Sequence, residues 1–191
     1  MGIYLVPREC PVPVRKQGFT LMEMLAALLI IGILAAIALP EYKTAVLNSR
    51  LSTVVTNVKS IANSLELYYL SMNGYPNNDL SNLDIGISGC SPSDGVYTCP
   101  NGTVYAFGIS ATDQPVGGFL GNKQGLAYIQ YLKEEPTVAK RNQRECWADS
   151  ANELANRVCL NLEGVQQGTN TWRSDSDLGH TTAVWNVYIL P

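Results

Sequence analysis

The chain has 191 residues, with 13 Lys and Arg, 16 Asp and Glu, and a formal net charge of −3, enough for one ordinary domain plus an additional element. Mean hydropathy is close to zero, yet the average conceals one apolar run from Phe19 to Leu39 (FTLMEMLAALLIIGILAAIAL) in which Glu23 is the only charge. A single run of this kind excludes a polytopic membrane protein.

Arg8, Arg15 and Lys16, against Glu9, precede the run. Positive charge ahead of a first span keeps the N-terminus in the cytoplasm and sends the following chain across. The run is 21 residues long, enough to cross a bilayer as a helix. Topology leaves three outcomes open. One is a secretory signal peptide cut behind the run, where Ala36-Ile37-Ala38 has the A-x-A form; the others are an uncleaved signal anchor and a leader cut ahead of the run.

Around Gly18 the chain reads Lys16-Gln17-Gly18-Phe19-Thr20-Leu21-Met22-Glu23, which resembles the prepilin peptidase site of type IV pilins and pseudopilins. The resemblance implies that a prepilin peptidase cuts after Gly18, that Phe19 becomes an N-methylated terminus, and that Glu23 is the acidic fifth residue of the mature chain. Gly32 and Pro40 match positions where pilin helices carry a glycine and a proline, whereas Ala45 stands where a second tyrosine often follows Tyr42. A carboxylate inside a span costs up to about 2.5–3.5 kcal/mol at mid-membrane and less near an end. In the first turn of a helix it is favoured by the dipole. In a filament, the resemblance implies that Glu23 pairs with the Phe19 amine of a neighbouring subunit, a match that offsets desolvation and fixes register. Pro40 removes the hydrogen bond to the Ala36 carbonyl, and with Gly32 it weakens residues 32–40, which the resemblance implies loosen on assembly.

From Glu41 to Met72 the apolar residues Leu47, Leu51, Val54, Val55, Val58, Ile61, Ala62, Leu65, Tyr68, Tyr69 and Met72 keep the spacing of one helical stripe. Asn48, Thr53, Asn57, Lys59 and Asn63 take the opposite face. Asn73-Gly74, with Pro76 beyond, predicts the stop. Joined to the run, this predicts one helix from Phe19 to Asn73, roughly 80 Å long at 1.5 Å per residue. The polar face lacks the dense Glu and Lys of a coiled coil, so packing on a sheet is expected. Asn73-Gly74-Tyr75-Pro76 also resembles the end of the long helix in many pilins and pseudopilins.

Past Gly74 the pattern shortens. Strands are predicted at Thr103–Ile109 and Leu126–Leu132, separated by a glycine-rich turn region over 113–125, and a third at Thr182–Leu190. Asp149 or Ser150 is expected to cap a short helix ending near Val158. The architecture expected is α+β, a long N-terminal helix packed on a small antiparallel sheet. Its parts are a leader over 1–18, a span over 19–40, an amphipathic helix over 41–74 and a head over 75–191. Cys90, Cys99, Cys146 and Cys159 lie on the translocated, oxidising side and predict two disulfides. Three connectivities are open; nearest-neighbour pairing closes short loops and is preferred, its second bond resembling the disulfide-bounded loop of pilins. Cys10 belongs with the leader.

Signatures of chemistry are thin. A hydrolase triad has only His180 to use, with Asp175 or Asp177, and no nucleophile elbow accompanies it. Gly117–Lys123 lacks the Ser or Thr and the strand–helix context of a phosphate loop. No C-x-x-C pair is present, so no metal and no cofactor are expected. Lys140, Arg141 and Arg144 form a small basic cluster, but 10 basic residues against 15 acidic ones beyond Gly18 argue against a nucleic-acid surface.

The resemblance therefore implies a non-enzymatic subunit, major or minor, of a type IV pilus-like filament made of copies of itself or of related pilins. It would wait in the inner membrane as a single-pass protein. An assembly ATPase and platform would then add it to a surface filament serving adhesion, motility, secretion or DNA uptake. The alternative within the resemblance is a type II secretion pseudopilin, for which Asp175-Ser176-Asp177 is a faint calcium signal. An exported soluble binding protein or enzyme on an ordinary signal peptide is the reading from another class.

Overall fold

The structure is a computed structural model that describes residues 18–76, 79–93, 95–108, 113, 115–121, 124–170 and 184–191. The chain divides into two compact units, Met1–Pro40 and Glu41–Pro191, and helix α1 (Leu21–Met72) supplies residues to both.

In the second unit the α1 stripe is the spine of the core. Leu47, Leu51, Val54, Val58, Ile61, Ala62 and Leu65 are buried, as the 3.6-residue period requires. Met72, predicted to close the stripe, is exposed, because the helix ends beside it. Asn73 terminates α1 in the left-handed region (φ 54°), its N–H bonding to the Tyr69 carbonyl at 2.8 Å. Asparagine, and not the following glycine, thus makes the turn. Asn57, assigned to the polar face, is half-buried and donates to the Tyr105 hydroxyl at 2.7 Å.

Among the described residues eight strands form one antiparallel sheet: β1 (Ser91–Ser93), β2 (Val96–Thr98), β3 (Val104–Phe107), β4 (Val116–Phe119), β5 (Leu126–Gln130), β6 (Arg144–Asp149), β7 (Val165–Asn170) and β8 (Trp185–Leu190). Their order is β1-β2-β3-β4-β5-β6-β8-β7, so the last strand lies between the two before it. Strand alternation sorts the core into two layers. Leu126, Tyr128 and Leu132 join the α1 stripe in one cluster, while Ala127, Ile129 and Tyr131 join Phe119, Trp147 and Trp185 in another. The centre of the sheet is therefore covered on both faces.

β4 corrects the expected turn region over 113–125. Its pair Gly117-Gly118 reads as turn chemistry, yet the glycine serves clearance. A Cβ on Gly118 would lie 2.4 Å from Val54 Cγ1 and 2.8 Å from Val58 Cγ2, so the missing side chain lets α1 approach the sheet. The strands expected at 103–109 and 126–132 are shorter than predicted, the first ending where Gly108 takes φ 67°. Residues 182 and 183 of the expected final strand lie outside the described residues. Helix α2 (Glu153–Asn161) begins later than expected. Asn152 is its cap, accepting from the Ala155 N–H at 3.1 Å, while Asp149 closes β6 and accepts from the Ala151 N–H at 2.8 Å.

Candidate functional site

The N-terminal site is built on the first turn of α1. Gly18 and Phe19 precede the helix and are exposed. Thr20 and Glu23 form a reciprocal cap: the Thr20 N–H and hydroxyl both donate to Glu23 Oε2, at 2.8 and 2.9 Å, and the Glu23 N–H donates to Thr20 Oγ1 at 3.2 Å. This is a capping box. The signal, Thr-x-x-Glu, stood in the sequence, but Glu23 was read there only through the dipole and a neighbour's amine. Both Thr20 bonds reach the same oxygen and leave Oε1 for a further donor.

Beyond that turn the helix shows apolar surface on every side. Leu21, Leu25, Leu28, Leu29, Ile33, Leu34 and Ile37 are all more than half exposed, and none of the most apolar 18-residue stretch is buried. Such a surface requires lipid or other helices around it. The helix is continuous through Gly32 and Pro40 in the single chain, and nothing lies within 4 Å of where a Gly32 Cβ would stand. The glycine is therefore not demanded by any contact among the described residues.

In the head, the four cysteines form Cys90–Cys99 and Cys146–Cys159. The first spans 9 positions beside β1 and β2, and the second spans 13 and ties β6 to α2. The basic cluster is largely spent inside the fold. Lys140 pairs with the buried Asp113, which also accepts from the Thr137 hydroxyl, and Arg141 Nε donates to the Glu135 carbonyl at 3.0 Å. Burial works to raise the Asp113 carboxyl, but the bonds from Lys140 and Thr137 outweigh it and hold it below its usual value. Arg144 lies at the start of β6. A free basic patch for nucleic acid is not what these residues make.

Sequence reasoning missed Glu145, a buried acid on the face of the sheet turned away from α1. It accepts from Trp147 Nε1 at 2.6 Å and Gln143 Nε2 at 2.7 Å. Burial pushes its carboxyl above the ordinary range, against the pull of Trp147, Lys140, Gln143 and Tyr131. Burial, with Glu145, Asp113 and Glu135 nearby, also pushes the Tyr131 hydroxyl upward. A charged residue inside a strand of RECWAD obscures period-two alternation, which is why β6 was not anticipated. His180, Asp175, Asp177 and Lys123 lie outside the described residues, and no group of three or more metal-ligating side chains occurs among the described ones.

The family of the prokaryotic N-terminal methylation motif matches residues 14–39, the stretch that holds Gly18, Phe19, Glu23 and Gly32. A fimbrial protein of Neisseria meningitidis serogroup B is 32% identical over 82 residues, 43% of this chain and 46% of its own length. The type IV major fimbrial protein FimA of Dichelobacter nodosus is 32% identical over 83 residues, 44% of this chain and 50% of its own. A type IV major pilin protein PilE1 of Neisseria gonorrhoeae is 33% identical over 66 residues, 35% and 40% respectively. The match thus spans about half the length of these relatives or less, and no solved structure matches the chain. A methylation motif heading a long helix packed on an antiparallel sheet defines a pilin-like architecture. Over less than half of its length the chain is similar to type IV pilins.

Proposed function

We propose that the chain is a structural subunit of a type IV pilus-like filament, without catalysis of its own, assembled through α1. The observation that carries this reading is the helix whose first half has apolar residues exposed all round, headed by the methylation motif. Prepilin peptidase cuts after Gly18 and leaves this helix joined to the head. Residues 1–18 are the leader, 19–40 the anchor and filament-core segment, 41–74 the head's spine and 75–191 the rest of the head. Before assembly the anchor sits in the inner membrane; afterwards the subunit stands in a surface filament, to which the platform and ATPase deliver it. Glu23 keeps one oxygen on Thr20 and offers the other to a neighbour's Phe19 amine, while Gly32 and Pro40 supply the give that packing needs. That the matched relatives are fimbrial and major pilin proteins favours a pilus subunit over a secretion pseudopilin.

The test is N-terminal sequencing of the protein recovered from the cell envelope. N-methylated Phe19 is the expected terminus; Leu39, behind the A-x-A site, overturns the reading.

A further inference from the structure

Shortly beyond the apolar run, Tyr42, Lys43, Leu47 and Arg50 of α1, together with Gln124 and Leu154, line a cavity of about 410 Å3. Arg50 follows Lys43 by two helical turns, which places both cations on one side of the helix. Among the described residues neither forms an ion pair. Gln124 Oε1 is buried and has no hydrogen-bond partner, although the Gln124 backbone carbonyl is secured by Asn152 Nδ2 at 2.8 Å. Gln124 and Arg50 also line an adjoining cavity of about 250 Å3. A buried acceptor left unmet is costly and calls for a donor. Two cations, one waiting acceptor and apolar walls from Leu47 and Leu154 are the complement of an anion that carries hydroxyls and a hydrocarbon root.

We infer that this cavity seats the headgroup of an anionic phospholipid, such as phosphatidylglycerol, while the subunit waits in the membrane. The phosphate faces Lys43 and Arg50, and a headgroup hydroxyl donates to Gln124 Oε1. The location in the chain agrees: Tyr42 and Lys43 follow Pro40 by two and three residues, where an aromatic with a polar tip and a basic side chain favour the headgroup layer. This inference rests on the membrane-anchored reading of the preceding section.

The test is native mass spectrometry of the full processed chain released from nanodiscs of phosphatidylcholine and phosphatidylglycerol in equal parts. The wild type is expected to retain phosphatidylglycerol over phosphatidylcholine by about tenfold. Arg50→Gln, and separately Gln124→Leu, should bring that ratio close to one. Lys59→Gln, exposed and outside the cavity, should leave it unchanged. Arg50 is exposed, so its variant keeps the test valid if Gln124→Leu fails to fold. A ratio near one in the wild type overturns the inference, as does a ratio that survives the Arg50 substitution or falls equally with Lys59→Gln; in each case the membrane reading stands. A chain that does not enter the nanodiscs at all removes both.

Discussion

Residues 18–40 and residues 41–191 meet the hydrophobic effect in opposite ways. The first stretch leaves Leu25, Leu29, Ile33 and Ile37 open, while the second buries Leu51, Val58, Ile61 and Leu65 of the same helix almost completely. Composition separates the two segments, since the run carries Glu23 as its one charge while residues 41–72 intersperse charged and polar side chains among the apolar ones. Patterning shows how each is covered. Past Pro40, polar residues confine the apolar ones to one stripe, and a stripe can be covered by a single sheet. An all-round apolar surface can be covered only by a medium or by other helices. One half of the molecule is self-sufficient, and the other is completed from outside.

Mutations that respect this division sharpen it. The largest effect falls on assembly: Glu23→Ala should still be cut after Gly18 but yield at least about tenfold fewer filaments, with the head's melting temperature unchanged. Wild-type filament yield, measured by shearing and electron microscopy, removes the role assigned to Glu23. In the head, replacing Cys146 and Cys159 together by serine should cost about 3 kcal/mol and lower the melting temperature by roughly 10 °C, with no loss of membrane insertion. Gly118→Val drives a side chain into Val54 and Val58 and should cost about 1–3 kcal/mol, read by the same calorimetric melt. Thr20→Ala removes the cap at about 1 kcal/mol; faster amide exchange confined to the first turn is the expected sign, and a change in the head's melt would contradict the division.

The smallest effect is in pH. Glu145 has its carboxyl raised by burial, so the folded state holds a proton that the unfolded chain releases. Its contribution is therefore most favourable below the ordinary glutamate value near 4.5 and is lost as pH rises through the folded value. Glu145→Gln lacks this dependence, so its melting temperature relative to wild type should rise between pH 4 and pH 7. Asp113 titrates with the opposite sign but is common to both proteins and cancels in the difference. A difference that stays flat or falls with pH contradicts the assignment.

Legibility in the sequence followed the physics of each region. The run to Leu39 and the stripe from Leu47 to Leu65 stand out because helical period and length are local signals. The motif around Gly18 is local as well. The sheet was harder to see. β1 and β2 are three residues each, β4 hides in glycines, β6 carries Glu145 inward, and β7 has no apolar alternation in VQQGTN. What decides β6 and β7 is a partner far along the chain, β8, and no window of ten residues contains it. The candidate site divided likewise. Glu23 could be singled out from its setting, but its bond to Thr20 required the cap geometry, and Gln124 drew no notice until the structure left its oxygen unmet.

The place of β8 has a consequence in time. Among the described residues strand β7 lies at the sheet edge and pairs with β8 alone, and β8 also zips onto β6 from Arg144↔Leu190 to Asp149↔Trp185. A chain emerging from its N-terminus therefore presents the seven other strands of the described residues before it can close the sheet. The edge next to β6 stays open until Trp185–Leu190 arrives. Completion of the fold thus waits on that one strand, and a chain truncated before residue 185 should carry an unpaired β6 edge, a target for proteases.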